Sequence, residues 1–202
     1  MHLASCTLHL ALCTLHLASC TLHLAPCILP PAPRYSSCTM NKALFLDRDG
    51  VINHDRGDIF TNEDFIFNEE IFDICREYSD NGFLIIVITN QARIAKGIYT
   101  EEDFLKLTSW MIEQFRNRGI IISKVFYCPH HPDFTGPCSC RKPEPGMLLR
   151  AINEFDLDIT ECVLFGDKET DLEAGRKAGI PEKNLHYYKA GQTGEMFSKV
   201  KD

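Results

Sequence analysis

Two aspartates separated by one residue, Asp47 and Asp49, follow directly on the apolar run Ala43-Leu44-Phe45-Leu46. Such a run predicts a strand buried on both faces, and open α/β sheets place their ligands beyond the carboxyl ends of their strands. Two carboxylates this close cost electrostatic energy unless a cation or a reacting group lies between them. Polar residues recur where the other apolar runs stop: Thr89-Asn90-Gln91 after the second, and Gly166-Asp167-Lys168, with Asp171 shortly after, beyond the fourth. A cationic pair, Arg141-Lys142, stands between the third and fourth. Gathered at one sheet edge, the carboxylates offer oxygen ligands to a hard cation such as Mg2+. The hydroxyl and the lysine offer a clamp for a phosphoryl group.

That set fits phosphoryl transfer to a carboxylate. A carboxylate ionised at neutral pH can attack phosphorus without a general base, which suits Asp47 as nucleophile. Asp49 can protonate the departing alkoxide and then deprotonate the water that hydrolyses the aspartyl-phosphate. Lys142 and Thr89 would stabilise charge on the equatorial oxygens, and Asp167 would anchor Mg2+, whose charge offsets the repulsion between nucleophile and phosphate. Spontaneous monoester hydrolysis is slow enough to need up to ~10²¹-fold acceleration, so several groups must act together.

A second cluster has a different chemistry. Cys128-x-His130, seven residues, then Cys138-x-Cys140 supplies three thiolates and an imidazole. This is a closed tetrahedral set of the structural Zn2+ type. Pro129, Pro132, Gly136 and Pro137 suit a tight loop with no core of its own, and Zn2+ would hold Arg141-Lys142 at a fixed place. Spacing alone does not separate His130 from His131.

The elements that must position these residues alternate. After the first strand, Val51–Phe67 is polar and irregular and predicts a loop or small hairpin. Glu69–Asn81 predicts a helix with an apolar face on Ile71, Phe72, Ile74, Cys75 and Tyr78, ended by Asn81-Gly82. Phe83–Thr89 is the second strand. Thr100 caps a helix that runs to about Arg118, with Glu101, Glu102 and Asp103 in its first turn. Lys124–Cys128 is the third strand, Gly146–Phe155 a helix, Cys162–Phe165 the fourth strand, Thr170–Ala178 a helix and Asn184–Tyr188 a last strand. The fold class is α/β: a Rossmann-like parallel sheet with helices on both faces, a zinc-binding loop, and segments too short for a large cap domain.

The 202 residues suit one domain with a proper core. A formal net charge of −7 gives no footprint for nucleic acid or an anionic membrane surface. The ten cysteines do not form a disulfide framework; a cluster with one nearby His suggests metal in a reducing compartment, hence the cytoplasm. Residues 1–39 stand apart. The units HLASCTL, HLALCTL, HLASCTL and HLAPCIL follow one another, with no Asp, Glu, Lys or Arg before Arg34. A membrane span lacks a basic flank, a coiled coil lacks its charges, and a His/Cys metal tract is a third reading. The extension reads best as translated repetitive DNA outside the fold, with Met40 the expected start of a phosphatase domain over 40–202.

DRDGVIN, ITNQ, CRKPEPGM and FGDKETD, in this order, resemble the four motifs of the haloacid dehalogenase superfamily of phosphatases. CPHHP followed by CSC and RKP is similar to one branch, the D-glycero-D-manno-heptose 1,7-bisphosphate 7-phosphatases and their histidinol-phosphate phosphatase relatives. The resemblance covers about Asn41–Tyr188. It implies Asp47 as nucleophile and Asp49 as acid/base. Asp47, Asp167 and the backbone carbonyl of Asp49 would hold Mg2+, and Thr89 and Lys142 the phosphoryl group. It also implies substrate contacts from Asp55, Arg56, Gly57, Asp58, Asn90, Gln91, Arg141 and Lys168, and His130 as the imidazole of the zinc set. The chain departs from the family where Ala92-Arg93 replace the usual Ser-Gly, which removes a hydroxyl and a residue free to take positive φ. The implied activity is a monomeric, Mg2+-dependent removal of the 7-phosphate of a heptose 1,7-bisphosphate, leading to nucleotide-activated heptose for surface polysaccharide. A histidinol-phosphate phosphatase is the alternative enzyme. A non-catalytic zinc-binding module would leave the strand-end carboxylates unexplained.

Overall fold

The computed structural model of the chain describes residues 40–191; the repetitive segment 1–39 lies outside them. Five strands form one parallel sheet in the order β3-β2-β1-β4-β5. They are β1 (Lys42–Leu46), β2 (Phe83–Asn90), β3 (Ile122–Cys128), β4 (Val163–Gly166) and β5 (Leu185–Tyr187). The helices between them are α1 (Glu70–Asp80), α2 (Glu101–Asn117), the short α3 (Pro132–Thr135), α4 (Gly146–Phe155) and α5 (Glu169–Ala178).

The period of two in a strand sorts each apolar run onto two faces. Leu44, Leu46, Ile85 and Val87 join Ile71, Ile74 and Cys75 of α1 and Leu107, Met111 and Phe115 of α2 on one side. Ala43, Phe45, Ile86 and Ile88 join Met147, Leu148 and Ala151 of α4 and Leu172 and Ala174 of α5 on the other. Both cores are closed by elements that the periodicity predicts, and α4 has the expected limits. Thr100 caps α2 as expected: its Oγ1 accepts from the Asp103 N–H at 3.1 Å, and Asp103 Oδ2 accepts from the Thr100 N–H at 3.0 Å.

One local feature differs from expectation: the Cys/His loop contains the four-residue helix α3, too short for a periodicity to show. The segment after β1 takes the hairpin form of the two expected, with Asn53 bridged to Phe67 in the antiparallel sense. The His54 N–H donates to the Ile66 carbonyl at 2.9 Å and the Asn68 N–H to the Ile52 carbonyl at 2.9 Å. Among the described residues no helix is long and apolar enough to cross a membrane.

The chain winds to one side of β1 through β2 and β3, then returns to add β4 and β5 on the other. The reversal opens a crevice beyond the carboxyl ends of β1 and β4. Leu46 pairs with both Val87 and Phe165. Asp47, Thr89 and Asp167 therefore all lie one or two residues beyond the Leu46–Val87–Phe165 level.

Candidate active site

Asp47 leaves β1 with its N–H donating to the Phe165 carbonyl at 3.1 Å, which fixes it beside β4. Its Oδ1 accepts from the Arg48 N–H at 2.7 Å and from Lys142 Nζ at 2.9 Å. The same Nζ meets Asp171 Oδ1 at 2.6 Å and donates to the Ile88 carbonyl at 3.0 Å. Lys142 is thus a buried cation between two buried carboxylates, one at the end of β1 and one in the first turn of α5. Burial opposes its charge, but Asp47 and Asp171 outweigh that and hold the ammonium above its usual value. Burial pushes the Asp47 carboxyl up to about 7, with Lys142 pulling it back down and Asp171 and Asp49 pushing it further up. The expectation that Asp47 is fully ionised at neutral pH therefore depends on a further positive charge.

The carboxylate cluster can accept one. Single oxygens of Asp47, Asp167 and Asp171 lie within 4.8 Å of one another. Asp167 Oδ1 is buried without a hydrogen-bond partner, and burial raises the Asp167 carboxyl above the ordinary range. Gly50, at φ +93°, lets Asp167 close on the β1 turn: a Cβ there would stand 2.2 Å from Asp167 Oδ2. Asp171 is different, because its Oδ1 meets Lys142 and its Oδ2 accepts from the Lys168 N–H at 3.0 Å. Its position in the first turn of α5 points to a structural residue, and the fold makes it the partner of the site's lysine. Its spacing of four from Asp167 at a helix start was the available signal.

Asp49 faces another direction. Arg48 pairs with both of its oxygens at 2.9 Å, Asn53 Nδ2 donates to Oδ1 at 3.2 Å, and Gln91 Nε2 donates to Oδ2 at 3.0 Å. The Gln91 amide also donates to Thr89 Oγ1 at 2.7 Å, and its Oε1 accepts from the Tyr99 hydroxyl. Asn90 clamps Lys142 across the crevice: Oδ1 accepts from the Lys142 N–H at 3.0 Å and Nδ2 donates to the Lys142 carbonyl at 3.1 Å. The amides of Asn90 and Gln91, both expected at the substrate, are engaged within the protein, holding Lys142, Asp49 and Thr89.

The remaining predicted residues lie around the rim. Lys168 Nζ meets Asp55 Oδ2 at 3.0 Å and Asp167 Oδ2 at 3.6 Å. Burial raises the Asp55 carboxyl, but the Lys168 ammonium outweighs it and holds the group below its usual range. Arg56 is exposed, and Gly57 turns the chain at φ +107° with its N–H donating to Asp55 Oδ1 at 3.3 Å. Asp58 meets Arg93 at 2.6 Å. The segment 55–58 is therefore tied to the end of β4 at one end and to the loop after β2 at the other.

Cys128 Sγ, His130 Nδ1, Cys138 Sγ and Cys140 Sγ form a compact set with edges of 3.1–3.6 Å. Metal–sulfur bonds of ~2.3 Å in a tetrahedron impose sulfur–sulfur edges of roughly 3.8 Å, so the set fits a tetrahedral ion with a small expansion. No pair is a disulfide. His130 turns to the thiols, whereas His131 Nδ1 accepts from the Asp133 N–H at 3.2 Å and caps α3. Arg141 Nη1 reaches the His130 carbonyl at 3.4 Å, and the next peptide, Lys142–Pro143, is cis. The loop thus ends in the residue that enters the carboxylate cluster.

A family model described as HAD-hydrolase-like matches residues 139–182. The chain is 44% identical over 148 residues to D-glycero-beta-D-manno-heptose-1,7-bisphosphate 7-phosphatase of Yersinia pestis, covering 71% of this chain and 79% of that protein. It is 46% identical over 145 residues to D-glycero-alpha-D-manno-heptose-1,7-bisphosphate 7-phosphatase of Burkholderia mallei, covering 69% and 77%. The chain belongs to the heptose-bisphosphate phosphatase family of HAD-like hydrolases. It is accordingly a phosphoric monoester hydrolase. A solved relative, D,D-heptose 1,7-bisphosphate phosphatase from B. bronchiseptica complexed with magnesium and phosphate, superposes with a TM-score of 0.64 at 28% identity, covering 69% of this chain and 77% of that one. Ala92-Arg93, which stand where the resemblance expects Ser-Gly, do not take the backbone conformation that would need the glycine. Arg93 is not at positive φ, and the left-handed turn of this loop falls on Gly97 at φ +68°.

Proposed function

We propose that the chain removes the 7-phosphate of D-glycero-D-manno-heptose 1,7-bisphosphate through an aspartyl-phosphate formed on Asp47. The observation that supports this most is Lys142 seated between Asp47 and Asp171, beside Thr89 and the orphaned oxygen of Asp167, in a chain 44–46% identical to enzymes of that name. An Asp47 oxygen attacks phosphorus in line with the sugar oxygen, while the Lys142 ammonium and the Thr89 hydroxyl hold the equatorial oxygens. Asp49 gives its proton to the departing C7 alkoxide and takes one back from the water that cleaves the aspartyl-phosphate. Asp47, Asp167 and the Asp49 backbone carbonyl would hold Mg2+, which supplies charge to offset repulsion between nucleophile and phosphate. Asp171 positions Lys142. Arg141, Lys168 and the tied segment 55–58, which includes Arg56, frame the sugar. The reading places the enzyme as a monomer in a reducing cytoplasm, in a route to nucleotide-activated heptose.

Phosphate release from a panel decides the substrate: both anomers of heptose 1,7-bisphosphate, histidinol phosphate and other small phosphates. At least one heptose bisphosphate is expected to show the highest kcat/KM; a preference for histidinol phosphate would sink the assignment. The relatives include enzymes named for each anomer at similar identity, so the panel also sets the anomer.

Zn2+ at Cys128, His130, Cys138 and Cys140 would hold the loop that delivers Arg141 and Lys142. Its removal is expected to lower turnover by at least about tenfold, in the range of lost support around a site. Metal analysis with activity before and after chelation tests this, with Mg2+ restored to saturation. Near-full activity in zinc-free protein would remove Zn2+ from the mechanism.

A further inference from the structure

We propose that Tyr99 and Gln91 are positioning residues, a buried hydrogen-bond relay that orients the Asp49 carboxylate and the Thr89 hydroxyl for phosphoryl transfer. The proposal rests on the reading that Asp49 moves the proton and Thr89 binds the phosphoryl group. Gln91 and Thr89 are 2% and 1% exposed, and Tyr99 is 6% exposed. One amide nitrogen, Gln91 Nε2, lies 3.0 Å from Asp49 Oδ2 and 2.7 Å from Thr89 Oγ1, and Oε1 on the same amide meets the Tyr99 hydroxyl.

Chemistry fixes the direction of every hydrogen bond in this chain. Asp49 Oδ2 accepts from Arg48 as well as from Gln91, so in the resting site the amide atom facing it is the nitrogen. The amide oxygen must then face Tyr99, and Tyr99 must donate. Burial raises the Tyr99 hydroxyl to about 12, so it keeps its proton across the working range. Both amide hydrogens are used, one on Asp49 and one on Thr89. Because Thr89 Oγ1 accepts from Gln91, its own hydrogen is left to point at a phosphoryl oxygen. Without the Tyr99 donor the amide could turn over and present its oxygen to Asp49.

Other groups around the relay strengthen its confinement. Arg48 pairs with Asp49 and sits over the Phe104 ring, with the ring centroid 5.6 Å away. The charges of Arg48, Arg93 and Asp49 all act on Tyr99, and that of Asp49 on Asp47. The Phe60 ring stacks on Tyr99 at 5.6 Å between centroids, so the segment that carries Asp55 and Asp58 also covers the far end of the relay. Tyr99 lies just ahead of the α2 cap and nothing in its spacing marks it as part of a site.

The test uses the full chain and its best substrate. Tyr99→Phe is expected to lower kcat about tenfold, the scale of one lost hydrogen bond, with KM within about twofold. Gln91→Met, which keeps the shape and removes both donors, is expected to lower kcat about a hundredfold. Adding Tyr99→Phe to Gln91→Met should then cost much less than it does alone, because the Tyr99 hydroxyl bonds the Gln91 amide and its remaining contact is with Arg48. Inhibition by vanadate, which mimics the five-coordinate phosphorus, should weaken in Tyr99→Phe by the same factor as kcat. Wild-type kcat in Tyr99→Phe, the same loss from it in both backgrounds, or unchanged vanadate affinity beside a lowered kcat would each overturn the relay. Asp49→Asn separates the two levels: if it keeps wild-type turnover, the role of Asp49 fails and the relay with it. If Asp49→Asn is inactive while Tyr99→Phe is unaffected, only the relay fails.

Discussion

Replacing Asp47 by Asn is expected to abolish turnover, with a loss on the order of 10⁶-fold, the scale seen when a covalent nucleophile is removed. An amide oxygen does not displace an alkoxide from phosphorus, and no neighbouring carboxylate can substitute. Asp49 is held by Arg48, Asn53 and Gln91, and Asp171 by Lys142 and the Lys168 N–H. The fold should survive. The Asp47 carboxyl rises to about 7 from an ordinary 3.8, chiefly through burial, so the folded state holds its proton more tightly than the unfolded chain. The sign follows: this contribution is fully present below pH 3.8 and is lost as pH rises through about 7. Asn does not titrate. In metal-free buffer the stability of Asp47→Asn should therefore improve relative to the parent as pH increases from 4 to 8, read by urea unfolding at each pH. Turnover above about 1% of the parent would remove Asp47 from the role of nucleophile.

Lys142→Met is expected to damage both activity and stability. Removing a phosphoryl clamp costs about 10²–10³ in kcat. Removing one member of a buried charge cluster costs about 3–5 kcal/mol, because Asp47 and Asp171 are left facing each other without their common cation. The two losses can be separated. In the Lys142→Met background, Asp171→Asn removes one of the stranded charges and should restore much of the stability but none of the turnover. Unfolding free energies and single-turnover rates of the two variants test this. If Asp171→Asn brought no recovery, the Asp171 charge left without its partner at 2.6 Å would not be the main cost of losing Lys142.

Much of the architecture could be read from local pattern. Apolar runs of strand length, the Thr100 cap and the amphipathic face of α1 are decided by residues within a few positions of one another, and the elements they predict are present. The types of the groups gathered at the crevice were legible for the same reason. Asp47, Thr89 and Asp167 each terminate an apolar run, and parallel strands bring such ends to one edge. The cysteine cluster was legible from spacing.

Partner choice was not, because it depends on register and on contacts far apart in sequence. Asn90 and Lys142 clamp each other across 52 residues, and Lys168 reaches Asp55 across 113. His130 and His131 are chemically identical neighbours, and only the course of the loop turns one to the thiols and the other to α3. Lys168, not Asp167, stands at the start of α5, which leaves the Asp167 carboxylate for the crevice and gives Asp171 to Lys142. The fold puts the Gln91 amide between Asp49, Thr89 and Tyr99, contacts that its place in the sequence did not show. Residue type states which chemistry is available at a strand end. Which oxygen receives which hydrogen is decided by tertiary packing, since directional bonds form only between groups the sheet has already brought within about 3 Å.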